Sequence, residues 1–536
     1  MKKSKKVLAL ALAALMAVSA FGCNKNGTTD ESSSQQQTSS NTTKESSSQQ
    51  QTSTPKPATK LSILLPYGDH AYDDTDLTIE FRNRLQTYTN TDITWELYDS
   101  ISYYEKLTLK YASGELATIM VTDKNAEFLN AAQYNVFWEI SDYIDLFDNL
   151  TTIPDATRAD ASQNGKLYGV PRSRDVGRNV CGFRQDWADN LGLGFPETLE
   201  DLYNMAVAFT NNDPDGNGKN DTYGFALDGW TGEWEIMQPW FGVHNTWGYD
   251  DNGNLEYYAT QEEYKTALKT FRQWYSEGLM PADFTSISAG ASDKQLLRTN
   301  MCGISIQVAD QPRKAQEAMV GTEEAPGLYP EARFTYFYGV DCGYGIRTKS
   351  NTSFAGYVSI VKSLAPTEDD LMAALDFLNS LNDAEMRNLI DFGLEGKDYY
   401  IDENGYAVRY NDDERTAMGT ASAKYREGYN QMVPYFSNEE ESAKLLAAEL
   451  SEMRTEEARV KKENMKYVVA NYGASYTSDT YVNIGADLDA ILMDAKLNYI
   501  QGIIDDTALQ AALDQWLEAG GQTVIDEMNV LYQQYK

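Results

Sequence analysis

Residues 213–221 read DPDGNGKND and carry an oxygen-bearing group at every second position. Asp213, Asp215, Asn217 and Asp221 take the first, third, fifth and ninth places of a calcium loop. The main-chain carbonyl of Lys219 takes the seventh, and Gly218 the tight turn between them. A hard cation needs several oxygens around one point, and this alternation supplies them. Gly224 stands where an EF-hand has its bidentate Glu, so water or Asp221 must complete the shell. The expected cofactor is a structural Ca2+; the alternative is an Asp/Asn/Gly turn without metal.

Other chemistry is thinly supplied. The chain has two histidines, His70 and His244, in segments without a Ser or Cys nucleophile signature, so hydrolytic triads and zinc sites lack material. The 80 acidic residues leave paired-carboxylate glycoside hydrolysis open as one functional class. With 45 basic residues the formal charge is −35, which argues against nucleic acid and against electrostatic attachment to an anionic membrane.

These groups need a frame. Leu61, Ile63 and Leu65 alternate as a strand, Leu77, Phe81, Leu85 and Tyr88 share one helix face, and Ile93, Trp95 and Leu97 alternate again. A helix around 104–113 ends at Gly114, and Ile119–Val121 makes a third strand, so the start reads β-α-β-α-β with a parallel sheet. Thr260 with Glu263, and Thr367 with Asp370, have the spacing of capping boxes. From about residue 437 the pattern is almost wholly helical, closing with the amphipathic stretch 524–535. Cys181, Cys302 and Cys342 are odd in number and indicate buried thiols, not a disulfide framework.

At the N-terminus, Lys2, Lys3, Lys5 and Lys6 precede an apolar run, 7–21, too short to span a bilayer, which reads as a signal peptide. Residues 1–22 are assigned to that peptide, with Cys23 as the lipidation site that anchors the mature chain. Cleavage after Ala20 without lipidation is the alternative. Residues 23–60 form a Ser/Gln/Thr tether in which ESSSQQQTS occurs at 31–39 and again at 45–53, a composition that cannot bury a core.

GKLYGVP, FRQDWADNLGLGFPETLEDLYNMAVAF and DPDGNGKNDTYGF, followed by FRQWYSEGLMPADF and LNDAEMRNLIDFGLEGKDYYIDENG, resemble the family 1 extracellular solute-binding proteins of bacterial ABC importers, in the subgroup of oligosaccharide-capturing lipoproteins. The resemblance covers nearly all the chain after the tether. It implies an α/β fold of two Rossmann-like lobes joined by a hinge, periplasmic-binding-protein-like, with a helix-rich C-terminal part. On that basis 61–172 with about 303–395 form the N-terminal lobe, and 173–302 with about 396–536 the C-terminal lobe. Crossovers fall near Arg174, Gly303 and Gly339.

The implied function is capture of an oligosaccharide at the extracellular face of the cell membrane and delivery to ABC permease subunits, without catalysis. For the ligand, the segment 229–249 holds Trp230, Trp234, Trp240 and Trp247, four of nine tryptophans, in a pattern too broken for one core face. Trp230, Trp234 and Trp240 are the expected sugar platforms. Tyr67 lies just past the C-terminal end of the first strand, where open parallel sheets bind ligands. Arg174, one of four arginines with Arg172, Arg178 and Arg184 near the implied cleft mouth, is the expected polar contact; hinge ion pairing is its alternative.

Overall fold

The structure, a computed structural model, describes residues 57–535 except 69–74, 101, 323–325, 420–422, 435–444 and 449. The signal peptide, Cys23 and most of the tether lie outside the described residues, as does His70.

Two mixed sheets carry the chain. The first has the order β2-β1-β3-β12-β4, from β1 (Thr59–Tyr67), β2 (Thr91–Asp99), β3 (Ile119–Thr122), β4 (Val170–Ser173) and β12 (Phe354–Ile360). β1 pairs parallel with β2 and β3, as the β-α-β-α-β pattern requires, whereas β12 runs antiparallel to both β3 and β4. Ile63, Leu64 and Leu65 are buried on both faces of β1, the condition of a strand covered by helices on each side. Thr75 opens the helix Asp76–Thr89 with a capping box to Thr78, and Asn90 in the left-handed region ends it. Leu77, Phe81 and Leu85 pack inward from that helix. Tyr88 instead stays 40% exposed, its hydroxyl donating to Asp383 at 2.9 Å.

The second sheet has the order β10-β5-β9-β6, from β5 (Cys181–Arg184), β6 (Tyr223–Ala226), β9 (Cys302–Ser305) and β10 (Phe334–Phe337). Helix Leu199–Asn211, capped by Thr198 and Asp201, lays Leu202, Met205 and Phe209 on it. Burying each such side chain contributes about 1.5–3 kcal/mol. Two hairpin strands, β7 (Trp247–Tyr249) and β8 (Leu255–Tyr257), stand beside this sheet, and β11 (Thr348–Lys349) pairs with Val468–Val469.

This pairing corrects the expected boundaries. β9 and β10 belong to the second sheet, so residues 302–337 do not join the first. Gly303 is interior to β9, where an added Cβ would sit 2.3 Å from the Phe209 ring, and so marks no crossover. The chain returns through Gly339, whose φ of +126° needs glycine, to β12. Tyr425, Tyr429, Met432 and Val433, expected in the other half, complete the first core, while helices 479–500, 506–516 and 522–535 pack mainly on the second. The Thr367–Asp370 capping box is present. Thr260 caps nothing: its hydroxyl donates to the Tyr257 carbonyl, and helix Glu262–Ser276 starts after Gln261. Cys181, Cys302 and Cys342 are free thiols, the first two buried.

Candidate functional site

Between the carboxyl end of β3 and the second core lies a cavity of about 510 Å3. Asp123, Lys124 and Asn125 follow β3 directly, at the sheet edge where open α/β sheets bind ligands. Asn125 is held by its role as N-cap: its side-chain oxygen accepts from Phe128 N at 2.9 Å. Gly356 in β12 lets the walls close up, since a Cβ there would lie 2.1 Å from the Thr122 carbonyl oxygen and its φ is +76°.

Lys124 Nζ donates to three carbonyl oxygens, those of Asp160 at 2.9 Å, Ser162 at 2.8 Å and Ala474 at 2.7 Å. An ammonium has three hydrogens, and all are used. Burial drives its pKa down to about 8 against the pull of Asp160. Burial likewise raises the Asp123 carboxyl, opposed by the Tyr104 hydroxyl and Arg172.

The other wall is aromatic and is an edge of the second core: Trp247, Tyr257 and Trp516 are all buried, but unlike Trp234 and Trp240 they line the cavity. Trp247 on β7 lies opposite Tyr257 on β8 with ring centroids 4.9 Å apart, and Tyr257 stacks on Trp516 at 4.8 Å and 9°. Gly473 brings its backbone flat against the Trp247 ring, where a Cβ would come within 2.5 Å. Asn164 ties the roof down, accepting from Thr477 N at 3.1 Å. A second cavity of about 310 Å3 shares Thr246, Tyr257, Tyr481 and Asp489 with the first and continues to Glu235, Lys349 and Lys496. Burial alone would raise Glu235, but Lys349 and Lys496 hold it at about 2.

The expected contacts fall elsewhere. Trp234 and Trp240 expose no ring surface: Trp234 packs on Phe271 at 4.8 Å, and Trp240 on Phe337 at 6.3 Å, inside the second core. Large rings gain more from a packed core than from solvent, and the broken segment still curls around them. Tyr67 is 2% exposed and also buried. Trp230 is 45% exposed, its ring covering Gly232, and Arg174 bonds back to the main chain of Ser173 and Ser353; neither lines the two cavities. Trp247, also in the 229–249 segment, lines the first cavity from β7. Trp516, Tyr257 and the Asp123–Lys124 pair gave no signal in the sequence.

The 213–221 loop folds around Asn217. Its side-chain amide donates to Asp215 Oδ2 and Asp221 Oδ1, each at 3.0 Å, while Asp213 accepts from Asn217 N and Gly218 N. Gly218 has φ +80°, as its tight-turn place requires. Asn300 donates to Asp215 Oδ2 at 2.8 Å. Burial raises the Asp215 carboxyl, and Asp213 and Asp221 add to the rise against hydrogen bonding from Asn217 N, as expected for crowded like charges. Among the described residues no three His, Cys, Asp or Glu groups already converge as a metal site, because the Asn217 amide sits between the carboxylates. The donors are nonetheless all oxygens, of the type a hard cation takes.

Residues 81–390 match the family model described as bacterial extracellular solute-binding protein. The chain is 30% identical to lipoprotein LipO of Bacillus subtilis (strain 168) over 458 residues, 84% of this chain and 88% of LipO. It is 26% identical to the polygalacturonan/rhamnogalacturonan-binding protein YtcQ of the same organism, over 84% of this chain and 87% of YtcQ. The fold matches the Streptococcus pneumoniae substrate-binding protein FusA in complex with kestose with a TM-score of 0.67 at 18% identity, covering 89% of this chain and 99% of FusA. An EF-hand mutant of FusA with fructo-nystose matches equally, at 0.67.

Proposed function

The chain belongs to the bacterial extracellular solute-binding protein family, and from that premise we propose that it captures an oligosaccharide in the cleft between its two sheets and passes it to an ABC-type permease. Proteins of this family are transport receptors and not enzymes, so the carboxylates of the cleft are read as hydroxyl acceptors and not as a catalytic pair. The observation that carries the reading is a cavity lined by Trp247, which meets Tyr257 edge-on, by Trp516, which stacks on Tyr257, and by the polar groups of Asp123, Asn125 and Asp489. Ring faces cover the CH surface of a pyranose or furanose, and the polar groups opposite take its hydroxyls. FusA in complex with kestose supports the class of ligand; YtcQ, described as polygalacturonan/rhamnogalacturonan-binding, supports a saccharide but not its charge.

Each sheet with its helices forms one lobe, and the lobes close about the segments near Arg174 and Gly339. Cys23 carries the lipid that holds the receptor at the outer face of the membrane, in keeping with the lipoprotein LipO. Asp213, Asp215, Asn217, the Lys219 carbonyl and Asp221 hold a structural Ca2+, with Asn217 turning its oxygen inward; the EF-hand of FusA supports this assignment. The reading is tested by a thermal-shift screen of residues 24–536 against an oligosaccharide panel. A ligand of the native state raises the melting temperature by mass action. No shift with any sugar, alongside a shift with another solute class, would overturn it.

A further inference from the structure

We infer that the cleft takes uncharged oligosaccharides and rejects polyuronates, an inference that rests on the oligosaccharide reading above. The two joined cavities present three lysines and no arginine. Lys124 spends all three hydrogens on main-chain oxygens. Lys349 is paired with Glu235, and Lys496 lies 3.6 Å from the other oxygen of the same carboxylate. His244, the remaining basic side chain, meets Glu256 at 3.1 Å. Every cation of the walls is therefore already engaged inside the protein.

A uronic acid needs the opposite arrangement, a cation or fork of N–H donors turned toward each carboxylate. What the walls present instead is Asp123, Asp160 and Asp489. Asp489 accepts from the Tyr481 hydroxyl at 2.7 Å and Asp160 from the Ser353 hydroxyl at 2.6 Å, so both are fixed in place as acceptors. A sugar hydroxyl can donate to such an oxygen. A uronate oxygen cannot, and brings a like charge next to these carboxylates in a half-enclosed space where repulsion is less screened than at an open surface. The formal charge of −35 adds a long-range term of the same sign. Specificity here comes from an unpaired repulsion and not from an added contact.

The test is calorimetry on residues 24–536 with neutral gluco-, fructo-, galacto- and mannotrioses, trigalacturonate, and the fully methyl-esterified trigalacturonate. At least one neutral sugar should bind with an affinity that changes less than twofold between 20 and 500 mM NaCl, values chosen on the order of the Debye range that screens charges. Trigalacturonate should bind at least tenfold more weakly than its methyl ester, and the gap should narrow in Asp489→Asn. Trigalacturonate binding as tightly as its ester or as the best neutral sugar overturns the inference while leaving oligosaccharide capture standing. Silence from every sugar, neutral and acidic, removes oligosaccharide capture and the inference with it.

Discussion

Lys124 Nζ donates at 2.7 Å to the main-chain oxygen of Ala474, a residue 350 positions away. The bond joins the end of β3 to the roof segment that leads into helix Asp479–Ile500, and the same ammonium holds Asp160 and Ser162. One side chain thus fixes the position of two walls of the cleft. Lys124→Met keeps the stem and removes the donors, leaving three carbonyls without their partner. The cost should be about 1–3 kcal/mol, since an orphaned buried acceptor loses its desolvation energy. Urea unfolding of the variant reads it, and an unchanged midpoint would mean that water replaces the ammonium freely.

The Glu235 pair should set an acid limit. Its folded pKa of about 2 lies below the ordinary 4.5, so the unfolded chain binds a proton first as pH falls. The stability it contributes is fully present above pH 4.5 and is lost as pH drops toward about 2. Glu235→Gln should flatten that part of the stability profile, as measured by denaturant midpoints at intervals across the window.

Tryptophans of the 229–249 segment should separate by role. Trp234→Ala and Trp240→Ala each empty a fully buried site and should cost about 3–5 kcal/mol of folding stability. Trp230→Ala removes a half-exposed ring and should stay within about 0.5 kcal/mol. Equal losses for all three in chemical unfolding would contradict the placement.

Trp247 should matter for ligand. Its truncation to Ala removes one ring of the cavity wall and should weaken sugar binding by about 1–3 kcal/mol. Calorimetry is meaningful once circular dichroism shows that the variant is folded. Wild-type affinity would move the platform away from this wall.

Calcium should stabilise without being required for the cleft. A Kd on the order of micromolar to millimolar is expected from a loop lacking the bidentate Glu. EDTA should lower the melting temperature, and Asp213→Ala should abolish that response while a folded sample still binds its sugar. Identical melting curves with chelator and with added calcium would reduce 213–221 to a turn.

Local chemistry was legible from the residues alone. The alternation in β1 and β2, the Thr367 cap, the Gly114 helix end and the left-handed Gly218 all depend on neighbours a few positions apart, where sterics and short hydrogen bonds decide. The sequence motifs also determined the family, and with it a two-sheet α/β fold. Tertiary structure alone decided which sheet each later strand joins. β9 and β10 are short apolar runs that would satisfy either sheet, and only pairing across more than a hundred residues assigns them to β5. It also decided which rings face the cleft, because in a segment without period a Trp carries no record of its direction. Trp234 packed onto Phe271, while Trp247, in the same core, met Tyr257, which stacks on Trp516 from a helix far along the chain. The polar contacts of the cleft followed the same rule: nothing near Lys124 in the chain shows that the main-chain oxygens of Asp160, Ser162 and Ala474 close around its ammonium.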